Sequence, residues 1–193
     1  LMVLERSVAK DGVAAYGSGE FLELLQTMGY ELDYTAPKSV LISIKEDFTN
    51  EEFAQIIEFV LGGANLFGMH ETSLYAKNAK RYPGVGAILK MIEFATSAKY
   101  SVIGKPSREF YGEALEMIKK RVSEASFENI TIISDDVKGD LGGAKELGMK
   151  SWFVLSGKYK NADEIVPALP VEARPDAVYA DMQDILESVY ENA

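Results

Sequence analysis

Apolar residues fall at helical spacing from the first position, with Leu1, Leu4 and Val8 on one face and no capping residue before them. A chain that opens inside an amphipathic helix is expected to continue upstream in its parent protein; a trimmed terminus is the plainer alternative. Residues 13–16 form a short β-rich run, and Gly17-Ser18-Gly19 leads from it into a helix with Phe21, Leu24, Leu25 and Met28 inward, stopped by Gly29. Residues 39–44 predict a second strand. Thr49 with Glu52 three positions on is a capping box, and the helix it opens places Phe53, Ile56, Ile57, Val60 and Leu61 on one face before Gly62-Gly63. Residues 64–69 predict a third strand. A polar loop with Lys77, Lys80 and Arg81 follows, then Pro83-Gly84 and a helix burying Val85, Ile88, Leu89 and Ile92.

Beyond Ser97 strand and helix alternate regularly. Strands are predicted over 100–103, 130–133, 152–155 and 177–180. Between them lie a helix capped by Ser107 (Phe110, Ala114, Met117 and Ile118 inward) and a short one through Leu141, Ala144 and Leu147. The last helix is capped by Asp181 and carries Met182, Ile185, Leu186 and Val189. Alternation of this kind argues for an α/β protein with parallel sheets covered by helices. Two regions follow, 1–97 and 98–193, the second resembling half of a doubly wound sheet.

Composition narrows the function. With 47% hydrophobic and 26% charged residues the chain is expected to fold rather than remain disordered. No apolar run approaches the roughly 20 residues of a membrane span. No basic-then-apolar leader opens the 193 residues and there is no cysteine, which excludes disulfides, thiolate metal sites and a cysteine nucleophile and suits a cytoplasmic protein. A net charge of −10 argues against a nucleic-acid surface. An acidic protein that handles phosphorylated molecules also needs a cation to offset its own field.

The densest chemistry is Ser134-Asp135-Asp136-Val137-Lys138-Gly139-Asp140-Leu141-Gly142-Gly143, three carboxylates at the C-terminal end of a predicted buried strand. Ligands of open α/β sheets bind at such ends. Crowded carboxylates repel one another unless a cation joins them, and hard oxygen donors favour magnesium. For any one of these aspartates the competing reading is a helix cap. The second signal is Gly104-Lys105-Pro106-Ser107, a lysine at a strand end that could neutralise a phosphoryl oxygen or stand simply in solvent.

Taken together, Gly104-Lys105-Pro106-Ser107 and, about thirty residues on, Ser134-Asp135-Asp136-x3-Asp140-Leu-Gly-Gly-Ala resemble the third and fourth motifs of the haloacid dehalogenase (HAD) superfamily. The run from Gly148 to Tyr159 is similar to subfamily IIA, which holds the NagD-type, p-nitrophenyl phosphatase-like and phospholysine/phosphohistidine phosphatase-like proteins. Asp47-Phe48-Thr49 and Tyr82-Pro83-Gly84-Val85-Gly86-Ala87 resemble that subgroup's C2-type cap. The resemblance implies a cap (1–97) and the C-terminal part of a Rossmann-like HAD core (98–193). It implies magnesium-dependent hydrolysis of small phosphate monoesters through an aspartyl-phosphate, and association of copies through the cap. Asp135 would be the magnesium ligand, Asp140 the second acid of that motif, Asp136 a helper between them, and Lys105 the catalytic lysine.

Two departures bear on this. Ser134 stands where the family commonly has glycine, and its hydroxymethyl group is either accommodated there or crowds the metal loop. The Asp-x-Asp of the first motif and the Thr or Ser of the second have no match; neither Asp11 nor Asp33 has the right context. The chain is therefore expected to be an incomplete, inactive portion of a phosphatase, with exposed apolar surface and a tendency to self-associate. The rival reading is a non-catalytic binding or regulatory module derived from such a hydrolase. A receiver domain is disfavoured because its acidic pair precedes its lysine. His70, in a loop of the cap region, reads as a polar loop residue or a substrate-selecting one. Lys77, Lys80 and Arg81 read as a solvated basic loop or an attraction for phosphate. Gly157-Lys158 reads as a simple turn.

Overall fold

The computed structural model describes residues 2–78 and 80–191, so Leu1 of the first apolar stripe lies outside the described residues. The chain divides into two compact units, one ending at Phe110 and the other beginning at Tyr111.

The first unit is built on a four-stranded parallel sheet. Its strands are β1 (Val13–Tyr16), β2 (Ser39–Ile42), β3 (Asn65–Gly68) and, after the hairpin of β4 (Leu74–Lys77) and β5 (Lys80–Pro83), β6 (Tyr100–Val102). The order is β1-β2-β3-β6. Helices α1 (Met2–Ser7), α2 (Gly19–Thr27), α3 (Asn50–Leu61) and α4 (Val85–Thr96) cover both faces. Ala14, Tyr16, Val40, Ile42 and Leu66 pack on Ile56 and Val60 of α3 and on Val85, Ile88, Leu89 and Ile92 of α4. The alternate residues Val13, Ala15 and Leu41 pack on Val3 and Leu4 of α1, on Val8, and on Leu25 of α2. Burial on both faces explains why β1 and β2 are buried throughout and, Ser39 apart, carry no polar alternation. Each fully buried leucine, Leu4 and Leu25 among them, contributes about 1.5–3 kcal/mol of transfer free energy.

Local chemistry sets the element ends. The Thr49 hydroxyl accepts from the Glu52 N–H at 3.2 Å while the Glu52 carboxylate accepts from the Thr49 N–H at 2.8 Å, completing the expected capping box. At the start of the outer edge of β1, Val13 N–H donates to the Glu31 carbonyl and Asp33 N–H to the Val13 carbonyl, so residues 31–33 cover that edge at Val13.

Two features differ from the sequence reading. The strand over residues 100–103, expected to open the second region's sheet, pairs with β3 and completes the first sheet. Periodicity identifies a strand but not its partner. Residues 74–83, expected as a polar loop, form the antiparallel β4–β5 pair, with Tyr75 and Tyr82 stacked opposite each other at 5.4 Å between ring centroids.

The second unit has a three-stranded parallel sheet, β7 (Thr131–Ser134), β8 (Lys150–Val154) and β9 (Ala177–Tyr179), in that order. Helix α5 (Arg108–Lys119) begins before the division and runs into this unit; α6 (Gly142–Glu146) and α7 (Met182–Glu191) complete it. Phe153 of β8, fully buried, packs with Val137, Leu141, Ile165 and Leu169, and Tyr111 packs with Ala144 and Met149. Residues 162–173, without an element in the sequence reading, hold three single 3-10 turns.

Candidate functional site

The acidic loop leaves β7 at its C-terminal end and enters a π-helical turn, Val137–Leu141, before α6. Val137 and Leu141 are buried against Phe153, and these two anchors bend the chain tightly enough to bring Asp140 back to the strand end. Ser134 closes the bend. Its hydroxyl donates to Oδ2 of Asp140 at 2.7 Å and accepts from the Asp136 N–H at 3.1 Å. Asp136 caps the turn, with Oδ1 accepting from the Gly139 N–H at 3.0 Å. Below it, the Tyr111 hydroxyl donates to the Asp140 carbonyl at 2.8 Å. Burial first, then the charges of Asp140 and Asp136, push the Tyr111 phenol above its ordinary range, so it stays a protonated donor.

The register Ser134↔Phe153 puts the loop after β8 beside the loop after β7. Lys158 uses that proximity twice. Its backbone N–H donates to Asp135 Oδ2 at 2.9 Å, and its ammonium pairs with Asp136 Oδ2. Gly157 makes the approach possible, since a Cβ there would stand 1.8 Å from Asp135 Oδ2. Lys158, Gly157 and Tyr111 are thus site residues that sequence reasoning missed. Lys158 pairs with residues 22 and 23 positions away, and only the β7–β8 pairing brings them together.

Among the described residues no three carboxylate or imidazole groups converge to hold a metal ion. Asp136 is committed to Gly139 and Lys158, and Asp140 to Ser134. Asp135 keeps Oδ1 without a hydrogen bond among the described residues. Magnesium takes one or two protein carboxylates and fills its octahedron with water and substrate oxygens. The free oxygen of Asp135 is of the kind magnesium takes from a protein, and among the described residues no fuller set of carboxylates stands around it.

Lys105 and His70 lie in the first unit, past the C-terminal ends of β6 and β3. The Glu71 N–H donates to the Lys105 carbonyl at 3.0 Å, and a Cβ on Gly104 would stand 2.3 Å from the Met69 carbonyl oxygen, so the two loops run in contact. His70 Nδ1 accepts from the Thr72 N–H at 3.3 Å. Lys77 pairs with Glu46, while Lys80 and Arg81 are exposed on β5.

Residues 102–185 match the HAD-hydrolase-like family model. Haloacid dehalogenase-like hydrolase domain-containing protein 2 of Bos taurus is 34% identical over 155 residues, 78% of this chain and 58% of that protein. The phospholysine phosphohistidine inorganic pyrophosphate phosphatase of Mus musculus is 29% identical over 159 residues, 81% of this chain and 57% of that protein. The chain thus spans under two thirds of the length of these relatives. Among solved structures, the p-nitrophenyl phosphatase from Archaeoglobus fulgidus superposes with a TM-score of 0.79 at 20% identity, over 97% of this chain and 70% of that one.

Proposed function

The chain belongs to the HAD-like hydrolases, and on that premise we propose that it supplies the cap and the metal-binding half of a magnesium-dependent phosphatase acting on small phosphate monoesters. The observation that carries the reading is Asp135, held at the end of β7 with one carboxylate oxygen fixed and the other unengaged. In this reading residues 1–97 form the cap and residues 98–193 the C-terminal part of the core.

Asp135 would hold the ion, with Asp140 and Asp136 fixing the loop around it. The bound ion supplies electrostatic neutralisation of phosphoryl oxygens. Lys105 would add a second positive charge, stabilising the developing charge on the phosphoryl group. His70, on the loop beside Lys105, would meet the substrate. The nucleophile is an aspartate of an Asp-x-Asp segment, which these 193 residues do not hold next to a suitable strand. Its carboxylate would form a bond to phosphorus as the phosphorus–ester oxygen bond breaks, the leaving oxygen taking its proton from the second aspartate of that segment or from water. Water then cleaves the aspartyl-phosphate to free carboxylate and inorganic phosphate.

Hydrolysis of p-nitrophenyl phosphate with magnesium tests this, using the chain alone, the chain joined to an upstream Asp-x-Asp segment, and the joined protein carrying Asp135→Asn. The expected result is activity only in the joined protein, lost in the variant. Activity of the chain alone would place a nucleophile within it. An inactive joined protein would favour the binding-module reading.

A further inference from the structure

We propose that Lys158 is a built-in counter-cation of the Asp135–Asp136 pair, which a divalent ion must displace electrostatically to enter the loop; the inference rests on the magnesium-site reading above. Two consecutive carboxylates at the end of one strand repel each other, and the chain answers with a residue from the end of the neighbouring strand. The two halves of that residue do different work. The main chain of Gly157-Lys158 fixes the position of Asp135: the N–H holds Oδ2 at 2.9 Å, and the bare Cα of Gly157 leaves the space that the carboxylate fills. The side chain neutralises Asp136 at Oδ2, while the other oxygen of Asp136 stays on the Gly139 N–H.

Exposure separates the two roles further. The Lys158 side chain is 33% exposed and that of Asp136 16%. The pair is therefore only partly screened by solvent, and the flexible stem leaves the ammonium a path outward. An incoming divalent ion brings positive charge beside a positive charge already present. It gains the Asp135 carboxylate against the repulsion of Lys158, and affinity is set by the balance. Lys158 is in these terms a positioning residue through its backbone and a brake on cation binding through its side chain. A merely structural lysine would lower affinity on removal, because the loop would loosen. A counter-cation raises it.

Manganese binding, read from the electron paramagnetic resonance signal of the free ion and displaced by magnesium, distinguishes the two on the full chain without any turnover. Lys158→Met and Lys158→Gln keep the N–H and remove the charge, and each should tighten binding about 5-fold or more, with Lys158→Arg within about 2-fold of the parent. Gly157→Ala and Asp135→Asn should weaken it about 10-fold. Circular dichroism confirms that each variant is folded. Unchanged or weaker binding in both folded charge-removal variants overturns the role of Lys158 while leaving Asp135 as the ligand. Binding insensitive to Asp135→Asn, or absent in every protein, overturns the metal site and this inference with it.

Discussion

The Ser134 hydroxyl spans two acids at once, donating to Asp140 Oδ2 at 2.7 Å and accepting from the Asp136 N–H at 3.1 Å. From the sequence a hydroxymethyl group here is either accommodated or crowds the loop; the hydroxyl is accommodated as a bridge between the two acids. Ser134→Ala removes a donor to a carboxylate and an acceptor for a main-chain N–H, and should lower stability by about 1.5–3 kcal/mol. Urea denaturation followed by circular dichroism measures this; a change within about 0.5 kcal/mol would refute the bridging role.

Thr49 and Glu52 satisfy each other's N–H groups at the start of α3. Thr49→Ala should destabilise the first unit by about 1 kcal/mol, whereas Thr49→Ser should be close to neutral. Thermal melts of the two variants side by side supply the comparison.

Phe153 lies at the centre of the second unit with no exposed surface. Phe153→Ala removes most of its buried volume and should cost about 3–5 kcal/mol. Domains hold only about 5–15 kcal/mol in total, so hydrogen exchange should accelerate in β7, β8 and β9 ahead of β1 to β3. Uniform acceleration across both sheets would show that the units do not unfold separately.

Asp176 accepts from the Ser151 N–H at 2.7 Å and pairs with Lys145 at 2.7 Å. Burial alone would raise its pKa; the Lys145 ammonium and the Ser151 N–H outweigh burial and hold it below 3.8. A carboxyl with a lowered folded pKa contributes stability that is fully present above its unfolded value and is lost as pH falls through the folded one. The parent should therefore lose this contribution only below about pH 4. Asp176→Asn should be less stable at pH 7, with the gap narrowing on acidification. A gap independent of pH between 7 and 3 would exclude the ionic contribution.

One face of α7 leaves Met182, Leu186, Val189 and Tyr190 exposed, while Ile185 is buried. Apolar residues at helical spacing on an open surface favour association of copies. Leu186→Glu should shift the chain towards monomer in sedimentation velocity at raised concentration. A parent already monomeric there would remove the basis for this expectation.

The acidic loop was legible because its chemistry is local: strand, aspartates and Gly142-Gly143 follow one another in sequence. Helices with strong signals at their starts, such as Thr49 with Glu52, were legible for the same reason. What escaped depends on distance along the chain. β6 is read as a strand from its own residues, yet its partner β3 lies more than thirty positions back with a hairpin and a helix between. β4 and β5 are four residues each and rich in lysine and arginine, too short for period-two alternation to outweigh their polarity. Lys158 looks like part of a turn until β8 is laid against β7.

Residues 31–33, hydrogen-bonded along the outer edge of β1, bear on how the protein survives concentration. An open edge of four consecutive apolar residues is a template on which foreign strands can extend a sheet into a fibril. Here the protein's own chain occupies the hydrogen-bonding positions of Val13 first. This short strap therefore leaves a foreign strand neither the N–H nor the carbonyl of Val13 to pair with, and displacing it would expose both groups together with the apolar side chain of Leu32.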